Sequence, residues 1–428
     1  MDHPSPDPIV ERLRRAREAL GFTQSVVAEQ LGLPRTAVTQ LEAGQRRVSG
    51  YELERLARLY GRKVEEFFLE DFAPEAEVGV LFRSQLHAEP APALLEAVGR
   101  FRELDQRLSD LEDALGIEGG DGELQLPGGV RAAENTMHAV RQGQRAAVEE
   151  RRRRGLGDQP LPDLAELFES WGVRTFFADL PEGVDGFTLQ DPMVRPFLVV
   201  TKHAIPSRTR FNLAHEYGHV VMDRSVRGNL TCQQNRAESP EVRANAFAAA
   251  FLMPEEGVAQ FLAGLGKRKR QTTATILEGS GTRTVRNTQS GETSALQAIH
   301  VVQVALHFGA SRGAALYRLA SLDYLNNAER EQLHAELAAR GGELEKLLLS
   351  PEERERGGRV LPDADAAAAS RRRMLGLLLE ALRRGEVSRD WAREAMELAG
   401  MNPEEVGRAF GLVPEVEVRH GVILPEGV

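Results

Sequence analysis

The stretch Arg210–Met222, RFNLAHEYGHVVM, carries a His-Glu-x-x-His pattern at His215, Glu216 and His219. Residues four apart on a helix share one face a turn from each other, so the two imidazoles converge on one point. That point suits a zinc ion, and the donor types also admit manganese. Glu216, beside the first imidazole, is then placed to take a proton from a water whose pKa the metal lowers. With 10 His in 428 residues, a His-x-x-x-His pair arises by chance roughly 0.2 times, and requiring the Glu leaves roughly 0.02. Phe211, Leu213 and Ala214 before the motif, and Val220, Val221 and Met222 after it, predict a helix buried on most sides.

A catalytic zinc takes three protein donors and leaves one position open, so a third donor is required. Glu241 is the residue the sequence favours. It opens EVRANAFAAAFLMP, whose Ala, Phe and Leu spacing reads as a tightly packed helix stopped by Pro254. Asn245 follows one turn along the same face, in reach of a ligand histidine's second nitrogen. Two rivals are weaker: Glu238 precedes Pro240 and falls outside the helix, and Asp223 needs a different helix ending to turn inward.

Residues 131–325 resemble the ImmA/IrrE family of zinc metallopeptidases, whose members pair an AHExGH helix with a Glu-x-x-Ala-Asn-x-Phe-Ala-x-x-x-Leu-x-Pro helix. The chain supplies Ala214 to His219, then Glu241, Ala244, Asn245, Phe247, Ala248, Leu252 and Pro254. Phe251 departs from the pattern, where a smaller aliphatic residue is usual. The resemblance implies an α+β, zincin-like protease that cuts a helix-turn-helix repressor and so switches on stress or mobile-element genes.

Upstream, residues 8–70 read as a compact helical module. Thr23 caps a helix, Gly32 makes a turn, Pro34 opens a third helix to about Ala43, and Gly44 ends it. Ile9 to Gly50 holds seven Arg against four Glu, a local positive excess in a chain of net charge −10. The spacing resembles the five-helix Cro/C1 (XRE) helix-turn-helix family. The resemblance implies DNA binding, with Arg35, Thr36 and Gln40 nearest the base edges, Gln24, Arg46 and Arg47 at the phosphates, and Arg17 with Glu42 as a structural ion pair.

Between the modules, residues 71–130 hold a possible extended piece, FAPEAEVGVLFRSQ, a periodic helix Leu94–Leu115 and a Gly-rich linker from 116 to 130. The leucine stripe of that helix predicts packing against the same chain, with homodimerisation as the other use. From 131 onward a helix ends in RRRR at 151–154, which reads as a solvated helix terminus. Strand-like VRTFFADL, GFTLQD and PFLVVTK predict a small sheet beside the zinc helix, and its edge is the expected peptide cleft. His203, Tyr217, His300 and His307 are the candidate donors to a tetrahedral oxyanion. The stretch 264–294 reads as a surface loop, with Lys267 to Arg270 as a basic cluster. Residues 326–428 form a helical C-terminal region without a catalytic constellation.

A chain of 428 residues with 42% apolar content supports two or three domains. One cysteine, Cys232, excludes an intramolecular disulfide framework. The absence of a long apolar run or of a leader-like N-terminus implies a cytoplasmic protein with no membrane partner. The expected architecture is mainly α and multidomain, and the expected activity is zinc-dependent endoproteolysis of a repressor or of the chain itself. Two other readings are an XRE regulator whose peptidase-like domain acts as a sensor, and a protease triggered by DNA damage or single-stranded DNA.

Overall fold

The computed structural model describes residues 8–19, 22–60, 62, 64–69, 91–117, 132–190, 195–203, 205–223, 228–233, 235–268, 274–278, 281–285, 295–355 and 366–411. The expected extended piece at 72–85, most of the linker and positions 269–270 lie outside these residues.

The N-terminal module contains α1 (Pro8–Ala19), α2 (Gln24–Leu31), α3 (Arg35–Glu42), α4 (Gly50–Leu59) and a 3-10 turn, Val64–Phe68. Each boundary has a local cause. The Thr23 hydroxyl accepts from the Val26 amide, and Gly32 and Gly44 adopt left-handed conformations at φ 64° and 68°. Leu13, Val27, Leu41, Leu56 and Phe67 form its core. Arg17 and Glu42 make the expected ion pair at 2.5 Å, tying α1 to α3.

The long helix α5 (Pro92–Leu115) begins in that core and ends in another. Leu95 packs among the N-terminal helices, whereas Leu94, Phe101, Leu104, Leu108, Leu111 and Leu115 pack against the sheet and the C-terminal helices. The leucine stripe therefore packs against its own chain.

Next come α6 (Thr136–Arg153), α7 (Leu164–Ser170), β1 (Arg174–Ala178), β2 (Val184–Leu189), β3 (Phe197–Thr201), α8 (Pro206–Met222), β4 (Gly228–Cys232), α9 (Ser239–Leu252) and α10 (Glu255–Gly264). The sheet runs β1-β3-β2-β4, with β1 and β3 parallel and the other pairs antiparallel. Both faces of β3 are covered. Leu198 and Val200 join the core under α8, and Phe197 and Val199 join the core under α5, which is why the strand reads as a continuous apolar run. Backbone proximity, not side-chain bulk, joins α6 to α9: a Cβ on Gly143 would overlap the Arg243 carbonyl oxygen.

Two expectations need correction. Arg151 of the RRRR run is buried, not solvated, and donates to the carbonyls of Gly157, Gln159 and Phe251 at 2.5–2.8 Å. Its guanidinium fixes the chain that leaves α6, satisfying three carbonyls that have no ladder partner. The stretch 264–294, expected as a loop, contains the hairpin β5 (Ala274–Glu278) and β6 (Gly281–Val285). Thr275 and Ile276 in one strand and Thr282, Thr284 and Val285 in the other supply β-branched positions.

The remaining helices are α11 (Ala298–Phe308), α12 (Arg312–Ser321), α13 (Asn327–Leu348), α14 (Pro351–Glu355), α15 (Ala366–Arg384), α16 (Arg389–Leu398) and α17 (Pro403–Gly411). Leu333 and Leu337 of α13 extend the core beneath α8. Leu378, Trp391 and Val406, from the last three helices, join the core on the sheet's other face. Among the described residues no helix is long and apolar enough to cross a membrane.

Candidate metal centre and nucleic-acid interface

Helix α8 places His215, Glu216 and His219 in the interior, and α9 brings Glu241 to them. The Nε2 atoms of His215 and His219 stand 3.2 Å apart. Glu241 lies between them, its Oε2 at 3.2 Å from His215 Nε2 and its Oε1 at 3.1 Å from His219 Nε2. One donor atom from each residue falls within 4.8 Å of the others. Glu238 caps α9 and lies outside this trio.

The second nitrogens of both imidazoles are engaged. His215 Nδ1 meets Asn245 Oδ1 at 3.1 Å, and His219 Nδ1 meets Asp223 Oδ2 at 2.6 Å. Asp223 is paired in turn with Arg243, and Gln190 donates to the His219 carbonyl at 3.0 Å. Asp223 thus orients an imidazole, an arrangement that leaves the Nε2 atoms pointing at Glu241. The signal for it was the four-residue spacing from His219, which serves a ligand and an orienting carboxylate equally well.

Glu216 is fully buried. Thr188 donates to its Oε2 at 2.7 Å, while Oε1 has no hydrogen bond. Strand β2 reaches this carboxylate only because position 186 is glycine: a Cβ there would stand 2.7 Å from Glu216 Oε1 and 2.9 Å from the Val199 carbonyl. Neither Gly186 nor Thr188 stood out in the sequence, since GFTLQD reads simply as a strand. Burial raises the Glu216 pKa, against the nearby imidazoles and the Thr188 hydroxyl, which lower it. Glu241 shows the reverse balance. Burial opposes its charge, but the imidazoles of His219 and His215 hold it down at about 2.

These residues fit a metal ion. Two nitrogens and a carboxylate are a zinc donor set, and Glu241 Oε2, like Glu216 Oε1, is buried without a well-formed hydrogen bond. A buried carboxylate oxygen lacking a donor is costly, and a cation with its water supplies the missing partner.

Of the four oxyanion candidates, three have other work. The Tyr217 hydroxyl donates to buried Glu150, and its ring stacks on Phe168 at 4.2 Å. His300 accepts from the Gln297 amide at the start of α11, and His307 stacks on Phe261 at 4.2 Å. His203 stands with Asn212, Nδ2 to Nε2 3.1 Å, one helical turn before His215. Asp185, at an irregularity in the β2–β4 pairing, lies 3.6 Å from the same ring and pairs with Arg208 and Arg236.

Residues 168–320 match the family model for peptidase family M78, described as the IrrE N-terminal-like domain, and residues 13–67 match the helix-turn-helix model. The chain joins a helix-turn-helix module to an IrrE-like domain. No curated protein matches the chain. The match to the peptidase family model supports a metallopeptidase-type enzyme, and the match to the helix-turn-helix model supports DNA binding.

On the helix-turn-helix module, α3 buries Val38 and Leu41 and exposes Arg35, Thr36, Thr39 and Gln40 on the opposite side. Arg47 is exposed just beyond it. Gln24 and Arg46 are less available than their positions suggest. Gln24 donates to Glu42 at 2.8 Å and accepts from Thr39 at 2.9 Å, and Arg46 is paired with Glu52. Thr39, which the sequence reading passed over, therefore joins the outer face of α3 to the start of α2.

Proposed function

We propose that the chain is a metal-dependent endopeptidase with its own operator-binding module, cleaving a helix-turn-helix repressor or itself. The convergence of His215, His219 and Glu241 beside a buried Glu216 carries this reading. These three residues would hold zinc, or manganese, with Asn245 and Asp223 fixing the two imidazoles. When bound, the metal polarises the scissile carbonyl and makes water a nucleophile near neutral pH.

The rest belongs to the protein's own side chains. Glu216 takes a proton from the attacking water on Oε1, the oxygen that Thr188 leaves open, and passes it to the departing amine. The burial that raises its pKa brings the carboxylate closer to the basicity this transfer needs. His203, held by Asn212 on the polar side of α8, is the donor we assign to the developing oxyanion. Arg35, Thr36 and Gln40 read base edges, and Arg47 contacts phosphate, as the exposed face of α3 supports.

A Glu216→Ala variant tests the proposal, because a pure sensor has no need of that carboxylate. Cleavage should vanish while zinc content and operator affinity stay at wild-type values. Normal target-gene regulation in a strain carrying this variant would remove the proposal's physiological basis.

A further inference from the structure

A cavity of about 290 Å³ lies on the face of the sheet away from the metal centre, between α5, β1 and α15. Its apolar wall comes from Phe101 and Leu104 of α5, Phe176 of β1, and Met374 and Leu377 of α15. Its polar lining is biased: six basic residues, Arg100, Arg174, Arg195, Lys202, Arg371 and Arg373, against three acidic ones, Glu112, Glu169 and Asp179. The chain as a whole carries net charge −10, so this local excess runs against the composition.

The basic groups converge at Glu112. Its carboxylate meets Arg174 at 2.8 Å, Arg195 at 3.0 Å and Arg373 at 3.5 Å, so one acid is shared by three guanidiniums. Arg174 also binds Asp105 at 2.5 Å, and Arg373 is paired with Glu169. Arg195 has no carboxylate but the shared Glu112 among the described residues. A planar guanidinium sharing its acid with two others, beside an apolar wall, is suited to a second anion in bidentate geometry.

We propose that this cavity binds a small organic anion, an apolar body with a carboxylate or phosphate head, the head on Arg195 and the body against Phe101 and Leu377. Its position gives such a ligand two neighbours of consequence. Helix α5 carries Phe101 in the cavity wall and Leu95 in the helix-turn-helix core. Phe101 also meets the Phe187 ring at 6.4 Å, and the next residue of β2, Thr188, holds Glu216. An occupant therefore bears on the element shared by the DNA-binding module and the metal-centre strand. This proposal does not depend on the chain being a protease.

The test is isothermal titration of the full chain with 1-naphthyl phosphate, 1-naphthoate and the uncharged 1-naphthol. Comparison of the first two identifies the preferred head group. One of the anions should bind with 1:1 stoichiometry, at least tenfold more tightly than the naphthol, consistent with a charge-assisted hydrogen bond. Arg195→Ala should weaken that anion about tenfold, and Leu377→Trp, which fills the cavity without touching the charges, should abolish binding. Circular dichroism confirms that each variant is folded, and either one alone suffices. Equal binding of 1-naphthol, failure of both anions to bind the wild type, or unchanged binding in a folded variant would overturn the proposal.

Discussion

On the helix-turn-helix module, Arg35, Thr36 and Gln40 point outward and make no side-chain hydrogen bonds among the described residues, whereas at the candidate metal centre His215, Glu216, His219 and Glu241 are all buried. The outward face borrows nothing from the core beneath it. Val38 and Leu41 hold α3 in place whatever the other side carries. The inward centre is continuous with its core: α8 presents Glu216 to β2 with one side and packs Leu213, Val220 and Val221 with others. The exposed face of α3 can therefore change at little risk to folding, while the groups of the proposed catalytic site and their packing must change together.

Substitutions probe this contrast in order of expected effect. Glu216→Gln keeps the shape of the site and removes the base, so cleavage should fall about 10²–10⁴-fold with zinc content unchanged, read by peptide hydrolysis and metal analysis. Phe251→Ala should destabilise the IrrE-like domain by about 3–5 kcal/mol in urea unfolding, since the ring is fully buried and stacks on Phe247 at 5.2 Å. The helix-turn-helix module should unfold at its usual denaturant concentration. Gly186→Ala pushes a methyl group at Glu216 Oε1 and should lower kcat about 100-fold, the scale for misplacing a reacting group. Arg35→Ala should be mildest, losing about 1–3 kcal/mol of operator affinity in a binding titration and leaving the melting temperature where it was. A large loss of stability in Arg35→Ala, or none in Phe251→Ala, would break the contrast.

The legibility of the sequence follows the same division. Helical spacing places His215 and His219 on one face, because local geometry governs residues four apart, and Glu241 stands out as the carboxylate that opens the Ala-rich α9. Caps at Thr23, Gly32 and Gly44 mark the helix-turn-helix for equally local reasons. What escaped was contact across long separations. Arg107 and Glu394 meet at 2.7 Å across 287 positions, and nothing near either residue announces the other. The same holds for the core that unites α5 with the C-terminal helices. Arg151 was misread because a run of four arginines looks solvated, yet a single member of it is needed to satisfy three interior carbonyls. Strand β4 and helix α10 escaped for another reason: each is short, and GNLTC and EEGVAQFLAG carry little periodicity.

Intact-mass spectrometry tests the central claim most directly. The full chain, supplied with zinc or manganese, would be mixed with a helix-turn-helix repressor from the same genome, with and without operator DNA, beside the Glu216→Ala variant. The account predicts a metal-dependent cut, in the repressor or in the chain itself, that the variant does not make. Intact masses throughout, with metal bound and operator DNA held tightly, would contradict it and leave a DNA-binding regulator whose metal centre serves another purpose.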